Sequence, residues 1–340
     1  MLYQFQFQSY QRPFKHPLQT NHGTWKVREG ILLQLIDSTG QVGSGEIAPL
    51  PWFGSETLEQ ALDFCRQLPA VIREPIIFDI PPTLPACKFG FEMAWEEVAS
   101  GEWRVASGKD QVLGAKSQVS GYKEQSLNSV LHPPYSILRT PSFGLLQSAL
   151  LPAGEDALLT WKKRWEEGYR TFKWKIGVQA LDVELALLAR LAYELPKTAR
   201  LRLDANGGLS LEATIAWLTV CDRLPMIEYL EQPLSPSQLT QMMELSKQHS
   251  TPLALDESVA TLAHLQDCHT QGWRGIFVIK PAIAGSPHRL RQFFQTHSID
   301  AVFSSVFETE IGRQAGLRLA AELGNRDRAM GYGTEHWFEE

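Results

Sequence analysis

Five charged side chains recur along the second half of this sequence, each at the end of a short apolar segment. They are Lys175, Asp204, Glu231, Asp256 and Lys280. Successive members lie roughly 25 residues apart, about one strand and one helix. Three carboxylates suit a hard cation such as Mg²⁺, with Mn²⁺ as an alternative, and a lysine beside that cation can act as a base. The pattern therefore indicates metal-assisted proton transfer.

The stretch "TFKWKIG" places two lysines in alternation with large apolar residues. In a strand Lys173 and Lys175 share one face, while Phe172, Trp174 and Ile176 cover the other. An edge strand can carry outward lysines as protection against aggregation, but three large apolar neighbours favour burial. Burial and a nearby second ammonium both lower a lysine pKa. We therefore expect Lys173 to help make Lys175 a base.

These positions belong to a repeat of strands and helices. From "TFKWKIG" to "IDAVFSSVFET", six short apolar segments each precede an amphipathic helical segment. Such alternation predicts right-handed βαβ units and a parallel sheet, and six units in a row favour a closed barrel. The carboxyl ends of its strands would meet at one rim, where Ser304 adds a polar group from the sixth strand.

The first hundred residues have a different pattern. "LYQFQFQSY" alternates as an antiparallel strand does, and "GILLQLIDSTGQVGSGEIAPL" predicts two strands with Gly40 in the turn. Ser55 is the expected N-cap of a helix over "SETLEQALDFCRQL". Residues 104–136 read as a partly helical or irregular connector. We therefore predict an α+β domain over 1–135, completed by the tail at about 325–340, and a barrel over 136–324.

Composition narrows the partners and the location. The chain of 340 residues has a formal net charge of −6, which argues against nucleic acid or an anionic membrane surface as partner. Its start does not resemble a signal peptide and no segment resembles a membrane span, so a cytoplasmic location is predicted. Four scattered cysteines are typical of reduced core thiols. The oligomeric state is not determined by these patterns.

At this point the motifs resemble the muconate-lactonising subgroup of the enolase superfamily. The matching pieces are "KWK", "DAN", "EQP", "DES" and "IKP", supported by "REGILLQL", "GEIAPLPWFGSETLEQ" and "LLPAG". The resemblance covers nearly the whole chain, with a gap at about 96–136. It implies an α/β fold, a modified (β/α)7β TIM-like barrel with an N-terminal α+β capping domain.

The resemblance also implies roles for the strand-end residues. By position, Mg²⁺ would be bound by Asp204, Glu231 and Asp256. Lys175 would remove the proton next to a substrate carboxylate. Lys280 would stabilise the resulting anion from the opposite face. Lys173 would assist electrostatically near the substrate carboxylate.

Four further residues are candidates for supporting roles. Asn206, Ser304 and Ser305 are plausible substrate contacts, although strand-end capping explains the serines equally well. Arg202 lies two residues before Asp204 and should share its face, as a partner behind the metal ligands.

The activity implied by the best local matches is a dehydration. A carbon–oxygen lyase would convert the small carboxylate 2-succinyl-6-hydroxy-2,4-cyclohexadiene-1-carboxylate to 2-succinylbenzoate, for menaquinone or phylloquinone biosynthesis. N-succinylamino acid racemisation, another racemase or epimerase activity, and muconate lactonisation remain alternatives. Dipeptide epimerisation is disfavoured because "AMGYGTEHWF" lacks the Asp-x-Asp of those enzymes. A catalytically silent binding barrel is disfavoured because all five charged positions are present.

Two loops of the first domain carry aromatic residues. Trp25, Trp52 and Phe53 are suited to excluding water from the site, or else to packing between the domains. In contrast, the isolated acids Glu257, Asp300 and Glu308 are interpreted as helix caps or solvated groups.

Overall fold

The computed structural model describes residues 1–20, 23–100 and 144–338. The predicted connector over 104–136 and the predicted domain boundary after residue 135 both lie outside these ranges. The division of the chain at that point therefore stays a prediction.

An antiparallel sheet forms the N-terminal part, with strand order β3-β2-β1-β4. Its strands are β1 Leu2–Thr20, β2 Gly23–Ile36, β3 Val42–Ile47 and β4 Val71–Arg73. Gly40 lies between β2 and β3 with φ of 84°, a left-handed conformation that glycine adopts without steric cost. Its predicted place in the turn is thus confirmed.

Three helices accompany this sheet: α1 Leu58–Gln67, α2 Glu74–Phe78 and α3 Pro85–Ser100. The N-cap of α1 is Thr57, so the prediction of Ser55 was wrong. Thr57 and Gln60 form a capping box, in which each side chain accepts a hydrogen bond from the other's backbone N–H. The Ser55 hydroxyl instead accepts from the Leu50 N–H at 2.7 Å, inside the preceding loop.

A parallel eight-stranded sheet forms the second part, with strand order β11-β10-β9-β8-β7-β6-β5-β12. A bridge between Ser304 and Gly331 joins its two outer strands and nearly closes the barrel. The strands are β5 Gln147–Leu151, β6 Thr171–Lys175, β7 Arg200–Asp204, β8 Ile227–Glu231, β9 Leu253–Leu255, β10 Ile276–Ile279, β11 Ala301–Phe303 and β12 Met330–Gly333.

Helices connect these strands and cover the barrel. They are α4 Asp156–Glu166, α5 Leu181–Glu194, α6 Leu211–Cys221, α7 Leu239–Gln248, α8 Leu262–Thr270, α9 Pro281–Ala284, α10 Pro287–Thr296 and α11 Glu310–Leu323. Since the short α9 directly precedes α10, every strand-to-strand connection carries one helical layer. This is the expected (β/α)7β barrel, and the predicted fold class is confirmed.

The C-terminal tail contacts both parts of the molecule. Residues 330–333 pair with β5 inside the barrel sheet, whereas Phe338 forms a bridge with Phe14 of β1. The expected contribution of residues 325–340 to the cap stays a prediction, and residues 339–340 lie outside the described ranges.

Helix α3 fastens the N-terminal part to the barrel. Its Glu92 accepts a hydrogen bond from the Ser286 hydroxyl at 2.7 Å, and its Glu96 pairs with Arg291 of α10. On its other side α3 packs against β3, where a Cβ on Gly45 would lie 2.0 Å from the Gly90 carbonyl oxygen. Among the described residues, no helix combines the length and the apolar character of a membrane span.

Candidate active site

Strand β6 separates apolar from charged side chains as its alternation predicts. Phe172 and Trp174 are fully buried in the hydrophobic core. Lys173 and Lys175 both line a cavity at the carboxyl ends of the barrel strands. The alternation of lysines with large apolar residues therefore belongs to a strand that is buried on both faces. Its lysines point to the barrel interior.

Lys173 bridges two of the predicted metal ligands. Its Nζ lies 2.9 Å from Asp204 Oδ2 and 2.6 Å from Glu231 Oε1. Burial by itself disfavours the ammonium form, but these carboxylates outweigh it and raise the pKa of Lys173 well above its ordinary value. Lys173 is thus a fixed positive charge within the site.

Lys175 has the opposite electrostatic character. Burial lowers its pKa, Asp204 opposes that effect and the neighbouring Lys173 reinforces it. The net pKa is lowered, in the direction that the sequence predicts. The Lys175 ammonium donates a hydrogen bond to Asn206 Oδ1 at 2.8 Å, and the Asn206 amide donates to Glu257 Oε1 at 3.1 Å. Glu257 thus contacts Asn206 at the edge of the cavity, which differs from its interpretation as a cap or solvated group.

Lys280 reaches the cavity from the other side of the barrel. Strands β6 and β10 stand four places apart in the sheet of eight, so Lys175 and Lys280 enter from opposite walls. The Lys280 ammonium pairs with Asp256 and lies 4.0 Å from the centroid of the Phe53 ring. These contacts orient Lys280 inward.

The three carboxylates end neighbouring strands, since Asp204 closes β7, Glu231 closes β8 and Asp256 follows β9. Burial raises the pKa values of Glu231 and Asp256, because an ionised carboxylate loses hydration in the interior. Glu231 Oε2 is buried and has no hydrogen-bond partner among the described residues. Three buried carboxylates, one of which carries this oxygen, are chemically suited to binding a cation.

The donor set fits Mg²⁺, although the side chains are not gathered as a metal cage. Within the described ranges, no three acidic, histidine or cysteine side chains stand close enough together to hold a metal ion as they are. Lysine ammonium groups occupy the contacts that a cation would take, from Lys173 to Asp204 and Glu231 and from Lys280 to Asp256. A bound Mg²⁺ would replace these contacts and supply a partner for the Glu231 oxygen.

Sequence reasoning missed Gln232. Its side chain is fully buried, and its Oε1 accepts from the backbone N–H groups of Asp256 and Ser258 at 2.9 and 3.1 Å. Its backbone adopts φ of 36°, an uncommon left-handed conformation for a residue with a side chain. Gln232 therefore fixes the loop that carries Asp256. The "EQP" motif was the available signal, but it does not reveal the partner.

The cavity opens to solvent, and the empty space of about 740 Å³ in it includes that open mouth. Charged groups from β6, β7 and β10 form its polar wall. Trp25, Trp52 and Phe53 line the wall facing the N-terminal part, as do aromatic and aliphatic neighbours. The cavity therefore combines a charged wall with an apolar cover.

The aromatic residues of the two N-terminal loops were expected either to exclude water from the site or to pack between the domains. Trp25 contacts Trp52 and Phe14 at 5.1 and 5.0 Å between ring centroids, and Phe307 of the barrel at 5.6 Å. Both alternatives thus apply, because the same rings pack between the two parts of the molecule and line the cavity.

Ser304 and Ser305 both line the cavity, but their hydroxyl groups have protein partners. The Ser304 hydroxyl donates to the Gly331 carbonyl oxygen at 3.5 Å. The Ser305 hydroxyl donates to Glu308 at 3.0 Å and accepts from the Phe307 N–H at 2.8 Å, which is a local turn cap. Their substrate contacts stay a prediction.

Arg202 is buried away from the cavity. It pairs with Glu228 at 2.8 Å and lies over the Tyr229 ring at 4.8 Å from its centroid. No direct contact with a predicted metal ligand is found for its side chain among the described residues, so its supporting role stays a prediction.

Two further acids differ from their interpretation as caps or solvated groups. Glu308 is buried and accepts hydrogen bonds from its own loop. Asp300 pairs with Arg328 through two hydrogen bonds of 2.8 and 2.7 Å.

Comparison with protein families identifies two regions. Residues 2–98 match the model described as MenC, N-terminal domain, and residues 157–339 match the enolase C-terminal domain-like family. The chain is 38% identical over 339 residues to an o-succinylbenzoate synthase of Thermosynechococcus vestitus, covering 98% of this chain and 93% of the relative. It is also 31% identical over 193 residues to an N-succinylamino acid racemase of Thermus thermophilus, covering 56% and 51%.

Solved structures agree with this relationship. The crystal structure of o-succinylbenzoate synthase from Thermosynechococcus elongatus, complexed with Mg in its active site, superposes with a TM-score of 0.80 at 36% identity, covering 99% of this chain and 94% of that one. The muconate lactonizing enzyme from Pseudomonas fluorescens gives a TM-score of 0.78 at 16% identity, covering 100% and 89%, which shows a shared fold.

Proposed function

The chain belongs to the o-succinylbenzoate synthases of the enolase superfamily, and from this premise we propose how its residues divide the work of the reaction. Enzymes of this kind are hydro-lyases that convert 2-succinyl-6-hydroxy-2,4-cyclohexadiene-1-carboxylate to 2-succinylbenzoate and water. The observation that carries the proposal is the placement of Lys175 and Lys280 on opposite walls of one cavity, beside Asp204 and Asp256.

Lys175 is the base of the dehydration. Its lowered pKa favours the neutral amine, which takes the proton on the carbon next to the substrate carboxylate. The electrons of that C–H bond pass into an enediolate. The resulting Lys175 ammonium then gives its proton to the departing hydroxyl, so that water leaves from the same face, the ring becomes aromatic and the amine is restored.

Asp204, Glu231 and Asp256 would hold Mg²⁺. When bound, the ion supplies positive charge to the substrate carboxylate and to the enediolate that it becomes. The three side chains end adjacent rigid strands, and the buried Glu231 oxygen without a partner supports their assignment as ligands.

The two other lysines stabilise negative charge without transferring the proton. Lys173 keeps its ammonium form because Asp204 and Glu231 lie beside it, and it faces the carboxylate end of the substrate. Lys280 approaches the opposite face of the ring, where its charge stabilises the anionic intermediate. Asn206 accepts from Lys175 and keeps the amine directed into the cavity.

A turnover assay tests the proposal. The purified protein is mixed with the cyclohexadiene substrate and Mg²⁺, and loss of the diene absorbance is followed with and without a chelator. We expect rapid loss that the chelator stops. Rapid loss that continues after complete metal removal would refute the metal assignment, and no loss by folded, metal-loaded protein would refute the activity.

N-succinylamino acid racemisation is a second candidate, because opposed lysines can act as two bases on one carbon. Incorporation of deuterium from solvent into either enantiomer of an N-succinylamino acid measures this activity. Exchange that requires both Lys175 and Lys280 would support it. Absence of exchange in a preparation that dehydrates the cyclohexadiene would restrict the site to the synthase reaction.

A further inference from the structure

The loop after β11 carries backbone strain beside the cavity. Phe307 has φ of 63°, a left-handed conformation that bulky residues rarely adopt. Its ring nevertheless lines the cavity and packs against Phe14 and Trp25, with centroid distances of 5.3 and 5.6 Å. Surrounding contacts must hold this conformation, because an isolated loop would relax from it.

Glu308 supplies those contacts. Its Oε2 accepts from the Ser305 hydroxyl at 3.0 Å and from the Val306 N–H at 2.6 Å. The Ser305 hydroxyl oxygen in turn accepts from the Phe307 N–H at 2.8 Å. Only 5% of Glu308 is exposed, and its carboxylate holds Ser305 and Val306 directly and Phe307 through the Ser305 hydroxyl.

A second buried carboxylate anchors the next residue to the N-terminal sheet. Glu46 of β3 accepts from the Thr309 N–H and hydroxyl at 2.9 and 2.5 Å and from the Gly312 N–H at 2.9 Å. The Tyr10 hydroxyl donates to Glu46 at 2.5 Å from β1. Loop 304–309 is therefore held in two ways. Glu308 binds residues inside the loop, and Glu46 of β3 binds Thr309 at its end.

We propose that Glu308 is a positioning residue of the dehydration, which holds loop 304–309 so that Ser304 and Phe307 face the substrate. Glu308 does not line the cavity and acts only through its loop. Glu308 is not one of the strand-end charges and takes no part in the proton transfer at Lys175. The inference rests on the assignment of the cavity as the active site.

The surroundings of Glu308 give this device a pH dependence. Burial and then the charge of Glu46 raise the pKa of Glu308 to about 7. Tyr10 and Arg12 from β1 face Glu46, and Tyr332 from β12 faces Glu308. Arg28 from β2 lies beside Tyr10, and Arg313 from α11 lies beside Tyr332. The Ser305 hydroxyl and the Val306 N–H both donate to the ionised Glu308 carboxylate. Protonation of Glu308 as the pH falls through about 7 therefore weakens these two loop contacts.

The test compares Glu308→Ala and Glu308→Gln with wild type in Mg²⁺, by steady-state kinetics over the neutral pH range. Glu308→Ala should lower kcat/KM about 10- to 100-fold, mainly through KM, because the loop contacts substrate and not the transferred proton. Glu308→Gln keeps an acceptor, so it should stay within about threefold of wild type while losing an inflection near pH 7. Glu310→Gln, which changes an acid in the first turn of the following helix α11, is the matched control.

A wild-type KM in Glu308→Ala, or an unchanged inflection near pH 7 in Glu308→Gln, would overturn the inference. If the alanine variant does not fold, the pH profile of the glutamine variant decides. Amide hydrogen exchange of residues 305–309 tests the loop without substrate, and faster exchange of Val306 and Phe307 in a Glu308 variant is expected. If the wild type is inactive but Val306 and Phe307 exchange faster in the Glu308 variant, the proposed activity is refuted and the loop assignment stands. If Val306 and Phe307 exchange equally fast in wild type and variant, the loop assignment is refuted.

Discussion

The barrel carries a charged cluster at each end, and the two clusters differ in how completely their charges are matched. At the amino ends of the strands, Arg202, Glu228, Asp300 and Arg328 form a closed set. Glu228 accepts from both arginines, at 2.8 and 3.1 Å, and Arg328 also binds both oxygens of Asp300. Each ion has an oppositely charged partner in good geometry.

The cluster at the carboxyl ends is incomplete by comparison. Its carboxylates share lysine ammonium groups, and the pKa of Lys175 is lowered. Within the part of the chain that the structure describes, one buried oxygen of Glu231 has no hydrogen-bond partner. A cavity opens beside this set. The difference teaches that buried charge alone does not indicate function. Charge that the protein leaves partly uncompensated beside a cavity does.

The largest expected effect is the loss of the base from the incomplete cluster. Lys175→Ala should lower kcat by at least about 10³-fold, because no other neutral amine replaces the proton acceptor. The fold and Mg²⁺ binding should persist, since Lys175 is not a predicted ligand. Loss of the diene absorbance measures kcat, and urea unfolding with and without Mg²⁺ measures the fold and metal binding. The control is Lys197→Ala, which changes an exposed lysine. Turnover like that of wild type would remove Lys175 from the mechanism.

Breaking the closed cluster should have the reverse profile. Glu228→Ala leaves Arg202 buried without its carboxylate, which should lower the free energy of unfolding by about 3–5 kcal/mol. The kcat of the remaining folded protein should not change. Urea denaturation measures the loss. The control is Glu322→Ala, which removes a partly exposed partner of Arg291 and should cost less than about 1 kcal/mol. Equal losses in both variants would contradict the contrast between the clusters.

Metal should complete the incomplete cluster. At about 100 times its dissociation constant, Mg²⁺ should raise the free energy of unfolding by about 2.7 kcal/mol. Glu231→Gln should lose most of this increment, whereas exposed Glu244→Gln should keep it. Urea denaturation with and without Mg²⁺ supplies the measurement. A full increment in Glu231→Gln would exclude Glu231 as a ligand.

The smallest effect concerns Asp222, a carboxylate outside both clusters whose oxygens accept hydrogen bonds from His249, Ser250 and Thr251. Although burial opposes it, hydrogen bonds from His249 and Thr251 lower the pKa of Asp222 to about 2. Because this pKa is depressed below the unfolded value of about 3.9, the stabilisation is present above about pH 4 and is lost as the pH falls through about 2. Asp222→Ala should therefore cost about 1–2 kcal/mol at neutral pH, after allowance for partial exposure.

Urea denaturation at neutral and acidic pH checks this prediction. The stability difference between wild type and Asp222→Ala should shrink towards pH 2. A difference independent of pH would show that the carboxylate charge is not its source.

Much of the fold could be predicted because its signals are local and repeat. Strand-end charges and helix periodicity identified the parallel barrel, and alternation identified the antiparallel sheet. Within β6, the same alternation predicted the shared face of Lys173 and Lys175 and the lowered pKa of Lys175. The helix N-cap at Thr57 was missed because Ser55 and Thr57 are both acceptable caps, and only the geometry of the turn selects between them.

The sequence by itself determined which residues stand at the carboxyl ends of the barrel strands, since side-chain period and repeat length depend only on neighbours in the chain. The tertiary structure alone decided which atoms meet. It brought Lys173 between two carboxylates, placed Gln232 behind the Asp256 loop, and buried Glu308 near Glu46. These contacts join distant parts of the chain, and burial and dielectric environment arise only when those parts pack together.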